Sequence, residues 1–189
     1  MKRIVALTAM ALLLMFGLQA MAQEPPFSPL IMEGDKELGL SGNLDFEGEG
    51  PDGDFNLNIS GTYGYFIRNY LEVGGFANLN MIDGTDFMRY GLGGFAEYHF
   101  ARWEPFGWQS VIPYVGASLG LAFADPDEGE DQSALIFMPR VGIKWFIRNY
   151  FAIDTNFFVA LATDDIYKNG EDLDPYDIGL SLGLRVFFN

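Results

Sequence analysis

From Tyr176 to Phe188 the chain alternates without a break. Tyr176, Ile178, Leu180, Leu182, Leu184, Val186 and Phe188 form one set, and Asp177, Gly179, Ser181, Gly183, Arg185 and Phe187 the other. Helical spacing would bring Ser181 beside Ile178 and mix the two sets, whereas a strand sends successive side chains to opposite faces. The segment is therefore a strand with one apolar and one small-or-polar face. Phe55 to Tyr65 sorts the same way, with Phe55, Leu57, Ile59, Gly61, Tyr63 and Tyr65 against Asn56, Asn58, Ser60, Thr62 and Gly64. So does Met88 to Phe100, where Met88, Tyr90, Leu92, Ala96, Tyr98 and Phe100 oppose Arg89, Gly91, Gly93, Glu97 and His99.

Extended along the chain, the pattern predicts eight strands near 37–47, 54–66, 70–82, 87–100, 110–124, 133–147, 150–163 and 175–188. Their length of about 11 to 15 residues is twice that of a typical globular strand. A dozen residues tilted by about 40° rise roughly 30 Å, the thickness of a bilayer's hydrocarbon. A soluble barrel of the lipocalin kind would alternate too, with its apolar face turned inward. It would then have to pack eight strands' worth of Phe, Tyr, Leu and Trp into one interior and leave glycine-rich stretches in water. The opposite arrangement is easier to build: aromatic and aliphatic side chains toward lipid, glycine and paired charges in a narrow lumen. The expected lumen charges are Asp45, Glu72, Arg89, Glu97, Arg140, Lys144, Asp154 and Arg185. The expectation is thus an all-β, eight-stranded antiparallel up-and-down transmembrane β-barrel.

Composition sharpens this. A net charge of −15 with few aromatics would suggest disorder, but aromatics make up 16% of the 189 residues. With no cysteine there is no disulfide framework or thiolate metal site. Lys2 and Arg3, the apolar run Ile4 to Leu18, and the A-x-A spacing of Ala20 and Ala22 make residues 1–22 a cleavable secretory signal peptide. Read instead as an anchor, the run would span only about 22 Å as a helix, short of the roughly 30 Å core. Cleavage removes Lys2 and Arg3 alone among charged residues and takes the net charge from −15 to −17. Residues 23–36, with three prolines, read as an extended periplasmic lead-in to a barrel over 37–189.

The five residues Phe66-Ile67-Arg68-Asn69-Tyr70 recur as Phe146-Ile147-Arg148-Asn149-Tyr150. Both copies fall between strands and predict tight turns around Arg68, Asn69, Arg148 and Asn149, with asparagine taking the left-handed conformation and the flanking Phe and Tyr at headgroup level. Shared ancestry of two half-barrels would repeat them as well. The connections after the first, third, fifth and seventh strands are acidic, EGEGPDGD, IDGTD, ADPDEGEDQ and TDDIYKNGEDLDP, and the fourth-to-fifth connection, ARWEPFGWQ, is the longest on the turn side. Short turns at one end and longer loops at the other match periplasmic turns and extracellular loops, with both termini in the periplasm. Tyr65, Tyr70, Phe100, Trp103, Trp108, Trp145, Tyr150 and Phe188 gather at the turn end as an aromatic girdle.

On these features residues 37–189 resemble the small eight-stranded outer-membrane barrels, the OmpX-like and OmpA-barrel-like proteins grouped as the outer membrane protein β-barrel domain. Ser181-Leu182-Gly183-Leu184-Arg185-Val186-Phe187-Phe188 is similar to the terminal signal read by the barrel assembly machinery. The resemblance implies the outer membrane of a Gram-negative-type bacterium as location and outer-membrane lipid as surroundings.

Chemistry is sparse. A lipid A deacylase needs a histidine and a serine on the lipid side, whereas the parity of His99 points it inward, and no palmitoyltransferase motif is present. Acidic residues cluster at Asp125, Asp127, Glu128, Glu130 and Asp131, and at Asp164, Asp165, Glu171, Asp172 and Asp174. Neither cluster has EF-hand spacing, and both read as solvated loops. The expected protein is a monomeric, non-enzymatic barrel without cofactor. Its lumen is plugged by side chains, and its acidic loops, which would repel nucleic acid, serve a structural or surface-interaction role with an unidentified partner. A narrow porin-like conduit for small solutes or apolar molecules is the alternative.

Overall fold

The computed structural model describes residues 31–47, 54–82, 88–100, 111–125, 132–169 and 172–189. The chain forms β1 (Lys36–Glu47), β2 (Asp54–Arg68), β3 (Leu71–Ile82), β4 (Met88–His99), β5 (Val111–Asp125), β6 (Gln132–Arg148), β7 (Phe151–Ala162), β8 (Tyr167–Asn169), β9 (Asp172–Asp174) and β10 (Tyr176–Phe188). Eight of these close into one antiparallel barrel, in which every strand pairs with its neighbours in sequence and β1 meets β10; β8 and β9 form a separate two-stranded hairpin. Closure is continuous: Leu38 sits opposite Tyr63 of β2 and Val186 of β10. A closed ladder satisfies every backbone polar group without an edge, as a strand-built structure in hydrocarbon requires. Pro139 interrupts it. The β6–β7 register runs from Phe137↔Leu161 to Arg140↔Phe158, skipping the proline, which has no N–H to give.

The burial pattern is inverted relative to a water-soluble protein. Among the described residues the most exposed large apolar side chains are Leu180 at 67%, Leu182 at 61%, Leu92 at 58% and Ile178 at 57%, whereas Glu72, Lys144 and Asp154 are at 0%. Where side chains are described, the charged, hydroxyl and amide side chains on the outward side of the eight strands, tyrosine apart, are Lys36, Arg68 and Arg148 at the turn-end rim, Ser133 and Thr155. Glycine on the inward face makes room for the large inner side chains. A Cβ at Gly93 or Gly120 would lie 2.7 Å from the Phe76 ring, and one at Gly142 would lie 2.7 Å from that of Tyr114.

Both copies of the repeat build the same bulged hairpin. The register shifts by one residue between Phe66 and Arg68 and again between Phe146 and Arg148, so Ile67 and Ile147 are the extra residues. Three expectations about these turns are corrected. Arg68 and Arg148 end their strands, and the turn residues are Asn69-Tyr70 and Asn149-Tyr150. The left-handed conformation falls on Tyr70, with φ 68°, and not on asparagine. Phe66 and Phe146 do not reach headgroup level; they point into the lumen, 0% and 2% exposed. Alternation explains the last point: Phe66 and Phe146 continue the inward parity of Thr62 and Lys144, and Ile67 and Ile147 the outward one, while the bulge turns Arg68 and Arg148 outward opposite Leu71 and Phe151.

Candidate functional site

The lumen is layered from the turn end toward the loop end. Its floor is apolar: Phe66, Ile112, Phe146, Ala152 and Phe187 pack together with Ile31 from the lead-in, and half-buried Tyr70 lies against them. The Phe146 and Phe187 rings are 4.8 Å apart between centroids, and Phe66 and Phe187 6.3 Å. Local hydrogen bonds hold Ile31 in place. Asp35 accepts from the Met32 amide at 2.9 Å, the Gly34 amide donates to the Phe66 carbonyl at 2.9 Å, and the Glu33 amide donates to Asn69 Oδ1 at 2.9 Å. Asn69 thus binds the lead-in rather than shaping its own turn. Gly34, at φ 97°, makes the bend that L side chains resist.

Directly above lies a layer of buried charge. Lys144 Nζ is 2.5 Å from Glu37 Oε2, 3.3 Å from Glu72 Oε2 and 3.2 Å from Glu97 Oε2. Arg140 Nη2 lies 2.6 Å from Glu97 Oε1. Arg185 clasps Asp154 through Nε at 3.0 Å and through Nη2, reaches Glu37 Oε1 at 3.5 Å, and donates to Thr62 Oγ1 at 2.5 Å. Tyr114 donates to Asp154 Oδ1 at 2.8 Å. Formally, four carboxylates (Glu37, Glu72, Glu97 and Asp154) face three cations (Arg140, Lys144 and Arg185) in this layer. His99 Nε2 sits 3.6 Å from both Glu72 and Glu97, its ring between Phe66 and Tyr114 at centroid distances of 5.2 Å and 5.5 Å. Ion pairs at this burial rest on geometry and mutual neutralisation, because each charge alone would cost several kcal/mol to bury.

Glu37, Glu72 and His99 each place a donor atom within 4.8 Å of one another, the composition of a metal site. The Lys144 ammonium already stands among those carboxylates. It supplies the positive charge that an ion would bring, so the group reads as an ion-pair node.

The loop end closes by a second apolar contact. Ile166, from the segment after β7, is 0% exposed and packs with Ala122, Ala124, Ala134 and Ala160, against Ile136, Met138, Phe158 and Ala162. Arg89 Nη1 donates to the Ile166 carbonyl at 3.4 Å and holds it over the barrel.

Of the residues expected in the lumen, Glu72, Arg89, Glu97, Arg140, Lys144, Asp154 and Arg185 are all buried. Arg89 stands apart from the others, at the loop side. Asp45 pairs in register with Asn56, but its side chain lies outside the described residues. Glu37, Tyr114 and Asn156 belong to the lumen too and are absent from the sequence-based set, whereas Thr62 is buried on the polar face expected of its strand. Glu37 shares the parity of Asp45 and is legible by that rule, although its place at the very start of a strand hides it. The expectation of a lumen of glycine and charge is corrected: Phe66, Phe95, Tyr114, Phe146 and Phe187 are also buried there.

Of the girdle residues, Tyr65, Phe100, Trp145 and Phe188 are 42%, 46%, 55% and 42% exposed. Tyr70 and Tyr150 depart from the expectation: both are only half exposed, and Tyr70 leans on the inner floor. Trp103 and Trp108 lie outside the described residues, as do residues 1–30 and most of the acidic loops.

No family model matches the chain, and no curated protein matches it. Among solved structures it is similar to the N-terminal β-barrel domain of Pseudomonas aeruginosa OprF, at 16% identity and TM-score 0.59 over 82% of this chain and 98% of that one. It is similar also to Neisserial surface protein A, at 24% identity and TM-score 0.54 over 82% of this chain and 96% of that one. These likenesses are of fold.

Proposed function

We propose, from the fold of the small eight-stranded outer-membrane barrels, that this chain is a monomeric, non-enzymatic β-barrel of the outer membrane of a Gram-negative-type bacterium. Residues 1–22 direct export and are removed, and residues 23–36 begin the mature protein in the periplasm. The assembly machinery then inserts residues 37–189 into lipid. The observation that carries this reading is the inversion of burial: Leu180 at 67% exposure outside, Lys144 at 0% inside. In water that arrangement would forgo about 1.5–3 kcal/mol for each exposed leucine; in hydrocarbon it is the stable one. The turns at Asn69-Tyr70 and Asn149-Tyr150 face the periplasm, and Tyr65, Phe100, Trp145 and Phe188 lie at that interface.

The role is structural or interactive. The floor, the ion-pair layer and Ile166 form a plug, and the acidic loops present negative charge to an unidentified surface partner. A conduit would require Phe66, Phe146, Phe187 and Lys144 all to move aside. Expression in a Gram-negative host tests the location: the chain should fractionate with the outer membrane, begin at Gln23, and need detergent for extraction. Recovery as a detergent-free soluble protein would overturn the proposal. In planar bilayers the folded chain should give no stable openings at neutral pH, and regular conductance steps would favour the conduit.

A further inference from the structure

Between the ion-pair layer and the Ile166 contact the lumen is open. A cavity of about 80 Å³ lies there, bordered by Arg89, Arg140, Arg185, Asn78, Ser60 and Asp177. At roughly 30 Å³ per water, it holds two or three waters or one small polyatomic ion. Its charged lining is three guanidinium groups and one carboxylate. Arg185 is committed to Asp154, and Arg89 reaches the Ile166 carbonyl.

Arg140 differs. It is 8% exposed, and while its Nη2 is ion-paired with Glu97 Oε1 at 2.6 Å, its buried Nε has no hydrogen-bond acceptor among the described residues. A buried donor left unmet carries its full desolvation penalty, and the penalty is larger on a charged group. The hydroxyl of Ser60 and the amide of Asn78 add neutral donors on the neighbouring strands, which face each other in register at Ser60↔Asn78. A planar fork of N–H groups beside hydroxyl and amide donors is suited to a carboxylate, phosphate or sulfate oxygen pair.

We propose that this cavity binds one small oxyanion, seated on Arg140 between the ion-pair layer and Ile166. The ligand enters from the loop side past Ile166, which shares a cluster with Met138 and Phe158, both lining the same cavity. Two or three charge-assisted bonds, less the cost of immobilising the ion, correspond to a Kd of about 1 mM.

The test is calorimetric titration of the detergent-folded chain with acetate, phosphate and sulfate separately, ionic strength being held constant with chloride. At least one should give a saturable isotherm of one ion per chain. Arg140→Gln combined with Glu97→Gln, which keeps the layer's charge balance, should weaken binding at least tenfold. Ser60→Leu fills the cavity while leaving every ion pair in place, and should also abolish binding. If none of the three anions binds saturably, or if Ser60→Leu binds as the unmodified chain does, the proposal is wrong.

Discussion

Replacing Lys144 by methionine removes the ammonium from three carboxylates while keeping a side chain of similar length. The substitution breaks ion pairs at 2.5 Å to Glu37, 3.3 Å to Glu72 and 3.2 Å to Glu97, between groups no more than 2% exposed. Four carboxylates would then face only Arg140 and Arg185. Breaking a buried pair by removing one partner costs about 3–5 kcal/mol. With a urea slope of about 2 kcal/mol/M, the unfolding midpoint should drop by roughly 1.5–2.5 M. The assay is urea unfolding in lipid vesicles, followed by tryptophan fluorescence and by the gel mobility of unheated samples. Adding Glu37→Gln to Lys144→Met should recover part of the loss, because it removes the carboxylate nearest the missing ammonium. Zinc should stabilise Lys144→Met but not the unmodified chain, since Glu37, Glu72 and His99 would then offer their clustered donors to an ion. A folded Lys144→Met variant whose midpoint falls by less than about 0.5 M would refute the view of Lys144 as the node of the layer.

Leu180→Arg places a charge on the most exposed apolar position and should destabilise the lipid-inserted barrel by about 2–4 kcal/mol; an unchanged midpoint in vesicles would mean that this face does not meet hydrocarbon. Gly142→Ala pushes a Cβ to 2.7 Å from the Tyr114 ring, and with it the hydroxyl that donates to Asp154, so a loss of about 1–3 kcal/mol is expected by urea titration. Gly61→Ala is the control, with nothing within 4 Å of its new methyl, and should be neutral or up to about 1 kcal/mol stabilising. Phe66→Ala opens the floor and should cost about 3–5 kcal/mol, with Ile31 released, which limited proteolysis of the lead-in would detect.

The strands were legible because alternation is a local property. Tyr176 to Phe188 declares its two faces within thirteen residues, and the observed β10 spans that segment. Parity likewise assigned Glu72, Glu97, Lys144 and Arg185 to one side of the wall. Parity gives a residue's face, however, and not its height or its partner. Glu37 and Lys144 stand 107 positions apart and meet because the closed barrel's tilt and stagger bring them to one level. The floor was hidden for another reason: the turn reading sets Phe66 and Phe146 at headgroup level, although each shares the inward parity of Thr62 or Lys144 on its own strand. Ile31 and Ile166 belong to no long strand, so no periodicity marks them. They lie at the two ends of the lumen because a closed ring of strands leaves two open mouths, and the nearest apolar side chains outside the wall are the ones that can stop them.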